Sequence, residues 1–271
     1  MKRSVWLAVA AVMGLSAPAA RAADCGKTAA GFDPWLEGLK AQAIADGVSP
    51  RVVKAALDGV EYDDEVIRLD RTQKPFKVSF KKFVALRLTP GRVALGRAML
   101  VRHDKTLAEI KKAFGVPPEI LVAIWGLETD YGTHTGQRPV FRSLATLAYD
   151  CRRATRFRGE LMSALRIVER GDMNPADMVG AWAGELGQTQ FLASSYERYA
   201  IDFDEDGRRD LMHSAADVLG STAHYLFAHD WRADNGWQEG SANFDVLASW
   251  NQSKNYQKTI ALFASRLAER R

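Results

Sequence analysis

Pro117-Pro118-Glu119-Ile120-Leu121-Val122-Ala123-Ile124-Trp125-Gly126-Leu127-Glu128 is the stretch on which the reading of the chain turns. The prolines and the acid suit a first helical turn. Proline has a fixed φ and no N–H to lose, and a carboxylate complements the positive end of the helix dipole. The eight residues from Ile120 to Leu127 are apolar or small. A helix with no polar face is buried all round. The run stops at a carboxyl group, Glu128, shortly before Gly132 and Gly136. A carboxyl at the end of a buried helix loses hydration, which disfavours its charged form and raises its pKa. An acid that keeps its proton near neutral pH can serve as a general acid, the requirement for protonating a glycosidic oxygen. The other reading is a glutamate that simply turns into solvent, and this stretch alone does not choose between the two.

The flanks are helical as well. Phe76, Phe80, Phe83, Val84 and Leu88 recur at helical spacing, then Leu95, Met99, Leu100, Leu107, Ile110 and Phe114, with a break at Pro90-Gly91. Residues 33–58 read as helix in two pieces, split by Gly47 and Pro50. Residues 61–75, mostly polar and charged, read as an extended crossing segment. Further helices are predicted over about 143–150, 153–169, 175–183, 215–229 and 254–270. A small β element fits 130–142 or 232–250. The composition agrees: 271 residues, 47% hydrophobic and 26% charged, exclude a disordered chain and suffice for a sizeable core. With no internal repeat and no linker-like stretch, the expectation is one mainly α (α+β) unit.

At the N-terminus, Lys2 and Arg3 precede an apolar run from Val5 to Leu15, and Ala20-Arg21-Ala22 follows. That order describes a secretory signal peptide over residues 1–22, leaving a domain over 23–271. The run is short for a bilayer span, so no stable membrane anchor is expected after cleavage. Cleavage removes three cations (Lys2, Arg3, Arg21) and no acid, so a formal charge of +4 falls to +1. So balanced a chain has no long-range field to gather nucleic acid. In an oxidising compartment two cysteines, Cys25 and Cys151, predict one disulfide; two free thiols are the alternative. His103, His134, His213, His224 and His229 show no zinc-protease spacing, and nucleotide and serine-hydrolase fingerprints are missing.

The stretch Ala123-Ile124-Trp125-Gly126-Leu127-Glu128-Thr129-Asp130-Tyr131-Gly132 resembles the catalytic motif of the lytic murein transglycosylase B family. Four further segments follow in the family's order. They are Ser143–Tyr149 with Arg152-Arg153; Gly180–Phe191 with Ser194-Ser195-Tyr196; Asp202–Gly207 with Ser221–Leu226; and Trp250-Asn251. The resemblance implies a lysozyme-like core over about 112–230, with additional N-terminal helices and a small β element. It implies a periplasmic enzyme that cuts the β-1,4 bond between N-acetylmuramic acid and N-acetylglucosamine in peptidoglycan glycan strands. No water is used, and the product is a 1,6-anhydro end. Glu128 acts first as acid and then as base, so one carboxylate suffices where ordinary glycosidases use two. No cofactor is required for that chemistry. By the same resemblance Gln190, Tyr225 and Asn251 bind substrate, and Arg152 or Arg153 holds a lactyl or peptide carboxylate. Each also has a structural reading: packed core tyrosine, buried amide, or solvated cation. Four positions depart from the pattern: Ala181 for a frequent serine, Ala193 for proline, His224 for asparagine, and Arg156 where some relatives carry tyrosine.

Asp202-Phe203-Asp204-Glu205-Asp206-Gly207-Arg208-Arg209-Asp210 reads as the first nine positions of a calcium loop. Asp202, Asp204 and Asp206 would offer carboxylates and Arg208 its carbonyl. Position twelve is His213 rather than the usual glutamate. In the resembling family a later aspartate closes the loop, which makes Asp217 the candidate. The expectation is a weak structural calcium ion; the alternative is a solvated acidic turn. Two competing functions remain. A hydrolytic muramidase needs a second carboxylate, from Asp130 or Glu185, about 5–5.5 Å away for retention or about 6.5–9.5 Å for inversion. A non-catalytic wall-binding protein needs none, and Glu128 would be dispensable.

Overall fold

Six helices start on a side-chain oxygen. Ser49, Asp63, Ser79, Thr89, Ser214 and Ser241 each accept a hydrogen bond from the backbone N–H three residues on, satisfying a donor that the first turn cannot. The computed structural model describes residues 25–73 and 78–269. The expected signal peptide and Phe76 lie outside the described residues. The chain runs α1 (Phe32–Ala45), α2 (Pro50–Leu57), α3 (Asp64–Thr72), α4 (Phe80–Arg87), α5 (Pro90–Arg102), α6 (Asp104–Phe114) and α7 (Pro118–Thr129). Then follow β1 (Arg138–Pro139), α8 (Val140–Tyr149), α9 (Ala154–Glu169), β2 (Val179–Gly180), α10 (Ala193–Tyr199), α11 (Ala215–Ala228), α12 (Ala242–Trp250) and α13 (Lys254–Ala268). β1 and β2 pair antiparallel, Arg138 opposite Gly180.

Two expectations are corrected, and an open choice is decided. The expected extended crossing over 61–75 is instead helix at Asp64–Thr72: Asp63 caps α3, and Val66 buries one face of it. The apolar positions were too few to show the period, and the cap carries the helix. Residues 175–183 form a single tight turn (Pro175–Asp177) followed by β2, because Val179 and Gly180 pair with β1. Of the two places expected for a small β element, 130–142 holds β1, which pairs with β2 at Val179–Gly180, whereas 242–250 is helix α12, opened by Ser241.

α7 lies at the centre. Ile120 to Leu127 are all buried, with α5, α6, α11 and α13 packed around them. Each large apolar side chain buried there contributes about 1.5–3 kcal/mol. Gly126 has a packing reason. A Cβ at Gly126 or at Gly96 of α5 would stand 2.6 Å from the Tyr131 hydroxyl, so both glycines make room for that ring. Tyr131 donates to the Arg92 carbonyl at 2.8 Å, and Arg92 closes on Asp130. Asp130 and Tyr131 both have positive φ, 49° and 60°. These contacts hold that conformation against a cost of about 1–2 kcal/mol per residue. The last turn of the buried helix, where Glu128 sits, is therefore locked from below.

Cys25 and Cys151 form a disulfide. It pins the start of the described chain beside α8, where the Gly26 N–H donates to the Tyr149 carbonyl at 2.9 Å. The cysteines are 126 positions apart, and the constraint on the unfolded chain is worth about 4–5 kcal/mol in the loop-entropy account.

Candidate active site

Glu128 emerges from α7 into a cleft of about 420 Å³. The segment 181–195 forms one wall through Ala181, Trp182, Glu185, Gln190 and Ser195. Tyr225 of α11 and the end of α12 (Ser249, Trp250, Asn251) form the other, and Arg156 of α9 completes the rim. Oε1 of Glu128 accepts from the Tyr256 hydroxyl at 2.7 Å and from Trp250 Nε1 at 3.0 Å. Among the described residues Oε2 has no partner, and it is not a buried unsatisfied atom, so it faces the cleft. One oxygen is fixed and the other is open.

Burial raises the pKa of Glu128 above the usual carboxylate range. The hydrogen bonds from Tyr256 and Trp250 favour the ionised form and pull the other way, as does the charge of Arg87. The nearby charge of Glu185 adds to the rise. Desolvation wins, and a group so placed can carry a proton to a substrate atom. Glu185 is raised too, again by burial first, although the Ala183 N–H donates to its Oε2 at 3.2 Å. Asp130 is different. Paired with Arg92, its carboxyl is held below the usual range, and it does not line the cleft. Of the two second carboxylates considered from sequence, only Glu185 faces Glu128's cleft.

Gln190, Tyr225 and Asn251 all line the cleft. Gln190 has φ of 55° and its Nε2 donates to the carbonyls of Thr135 and Gly187, each at 3.0 Å. Tyr225 stacks on His229 at 4.2 Å and stands edge-on to Trp250 at 5.2 Å; its hydroxyl donates to the Ser249 carbonyl at 2.7 Å. Asn251 Oδ1 accepts from the Ser253 N–H at 2.9 Å. Arg152 and Arg153 do not line this cleft. Both close on Asp70, whose carboxylate is buried and demands compensating charge; Arg152 Nε donates to Oδ2 at 2.6 Å. Trp250 and Tyr256 as partners of Glu128 were not legible as such, since Tyr256 reads as an ordinary position of an amphipathic helix.

The acidic loop gathers Asp202, Asp204 and Asp217, with one carboxylate oxygen of each within 4.8 Å of the others. Asp217 is fully buried, and its two oxygens accept from the Phe203 and Asp210 N–H groups, both at 2.7 Å. Burial, followed by the charge of Asp204, raises its pKa. This hard-oxygen set fits a divalent cation. Asp206 stands outside the group and accepts from the Arg208 N–H at 2.9 Å. His213, at loop position twelve, contacts Asp210 at 3.1 Å. Gln188 ties this loop to α7: its Nε2 donates to the Met212 carbonyl at 2.8 Å, and its Oε1 accepts from Trp125 Nε1 at 2.9 Å.

Residues 31–241 match the family described as Transglycosylase SLT domain. Over 152 residues, 56% of this chain, the sequence is 38% identical to Membrane-bound lytic murein transglycosylase B of Escherichia coli (strain K12). That match takes in 41% of the relative's own length. Among solved structures, SltB3 from Pseudomonas aeruginosa in complex with NAG-anhNAM-pentapeptide is 32% identical. It superposes with a TM-score of 0.82 over 86% of this chain and 78% of that one. The Escherichia coli lytic transglycosylase Slt35 in complex with calcium is 24% identical and has a TM-score of 0.77, over 86% and 92% of the two chains. At that identity the likeness shows the fold alone. The mainly helical, lysozyme-like fold with a small β element is the one expected. Since the match runs from Gly31, just before α1, to Ser241, the cap of α12, and encloses the Glu128 helix, the chain belongs to the Transglycosylase SLT domain family.

Proposed function

We propose that this chain is an exported, periplasmic lytic transglycosylase that cuts the β-1,4 bond between N-acetylmuramic acid and N-acetylglucosamine in peptidoglycan. The observation that carries the reading is Glu128: its pKa is raised by burial, one oxygen is anchored by Tyr256 and Trp250, and the other faces the cleft. Residues 23–271 act as one catalytic domain. Protonated at Oε2, Glu128 gives its proton to the glycosidic oxygen, and the C1–O bond breaks with the glucosamine leaving as an alcohol. The substrate's acetamido group covers C1 meanwhile. The carboxylate, steadied by its two hydrogen bonds, then takes the proton of the muramoyl C6 hydroxyl as that oxygen bonds C1. Glu128 ends protonated, and no water is consumed. Gln190, Tyr225 and Asn251 frame the sugar.

Asp202, Asp204 and Asp217, with the Arg208 carbonyl, hold a structural calcium ion that neutralises the loop's charge. It takes no part in the chemistry, which needs no cofactor.

A second reading draws on Glu185, a carboxylate in the same cleft. With Glu185 activating water, the site would hydrolyse. Mass spectrometry of muropeptides released from purified sacculi separates the two. The proposal expects products lighter than hydrolytic ones by one water, absent with Glu128→Gln. Reducing-end products would favour the muramidase, and no release at all would leave a wall-binding protein.

A further inference from the structure

Arg156 stands in the first turn of α9, is exposed, and lines the cleft together with Glu128, Glu185 and Gln190. Among the described residues it enters no ion pair and no hydrogen bond. Its neighbours are the Phe157 ring, 5.7 Å from the guanidinium carbon, and the field of Glu185. Nearby arginines are committed. Arg152 and Arg153 close on Asp70, and Arg71 on Asp70 and Asp150. Glu185 and Arg156 form no ion pair; Oε2 of Glu185 accepts from the Ala183 N–H, and the charge of Arg156 acts on it only through space. The cleft is thus left with a free planar cation whose fork of N–H donors fits a carboxylate in two parallel bonds.

Taking the cleft as a glycan site, on which this inference rests, we infer that Arg156 is a specificity residue binding a carboxylate of the substrate. The carboxylate belongs either to the free lactyl group of a peptide-free muramic acid or to the stem peptide attached there. A neutral N-acetylglucosamine polymer offers none, so Arg156 discriminates the wall polymer from neutral glycans.

The experiment is calorimetric binding to the Glu128→Gln protein, with and without Arg156→Gln or Arg156→Lys. Three probes are used: a disaccharide pentapeptide, a peptide-free glycan with free lactyl groups, and a neutral N-acetylglucosamine oligomer. Arg156→Gln should raise Kd about ten-fold for the glycan that supplies the carboxylate and leave the neutral oligomer unchanged, with Arg156→Lys between. Loss confined to the pentapeptide assigns the peptide, and loss confined to the peptide-free glycan assigns the lactyl group. Unchanged Kd for all three probes, or an equal loss for all three, overturns the inference while leaving the glycan site intact. Failure of the Glu128→Gln protein to bind any probe overturns the reading of the cleft and this inference with it.

Discussion

Glu128 and Tyr256 are 128 positions apart in sequence and meet at 2.7 Å, the phenol donating to Oε1. Their helices, α7 and α13, pack side by side, so the acid's orientation depends on the last helix of the fold. Burial and the facing charge of Glu128 push the Tyr256 phenol well above its usual pKa, so it stays a donor throughout the working range.

Tyr256→Phe removes a bond that favours the ionised carboxylate. That bond lowers the pKa of Glu128, so its loss raises it further. The alkaline limb of kcat, where Glu128 gives up its proton, should move up by about one pH unit. Loss of orientation should lower the plateau by about ten-fold. A pH–rate profile of both proteins reads the shift, and a limb displaced downward contradicts it.

Glu128→Gln should stabilise the fold at neutral pH. The folded pKa lies above the unfolded one, so the native carboxyl adds stability below the usual carboxylate range and loses it as pH rises through the folded value. Glutamine keeps the acceptor and removes the charge. Thermal melts at pH 7 should rise by about 2–4 °C, and the difference should vanish near pH 4. A lower melting point at pH 7 would show that the ionised carboxylate contributes net stability.

Asp70 gives the opposite slope. Burial alone would raise its pKa, but Arg152 and Arg153 outweigh that and hold it low. Its contribution is present above the usual carboxylate range and fades as pH falls through the folded value. Asp70→Asn should cost about 1–3 kcal/mol at pH 7, discounted because the guanidiniums are partly exposed. Its stability should fall less steeply in acid than that of the wild type, which denaturant titrations at two pH values would show.

Calcium should raise the melting temperature by a few degrees at a concentration about ten-fold above Kd, a linkage of about 1.4 kcal/mol. Asp217→Asn removes a carboxylate that belongs to the acidic group and also holds two backbone N–H groups. The variant should lose the calcium response and melt lower without calcium. An equal calcium shift in both proteins would exclude Asp217 as a ligand.

The buried helix was legible because eight apolar residues have no other use than a core, and the carboxyl at its end drew the site after it. Gln190, Tyr225 and Asn251 at the cleft followed from the resemblance. The partners of that carboxyl were not legible. The resemblance placed Trp250 near the site without naming what it touches, and which face of α13 brings Tyr256 to α7 is decided by packing across the whole chain. The pairing of Arg152 and Arg153 with Asp70 was hidden for a similar reason. Adjacent arginines look free in sequence, and the buried acid that binds them, Asp70, sits 82 positions before Arg152 in a segment that read as extended. α3 had to form before that acid had a place.

The central claim is that Glu128 drives cleavage without water. Digesting sacculi in water labelled with the heavy oxygen isotope tests it most directly. The account predicts products lighter than hydrolytic ones by one water and free of label, and no products from Glu128→Gln. Heavy oxygen at the new reducing ends, or undiminished release by Glu128→Gln, would contradict it.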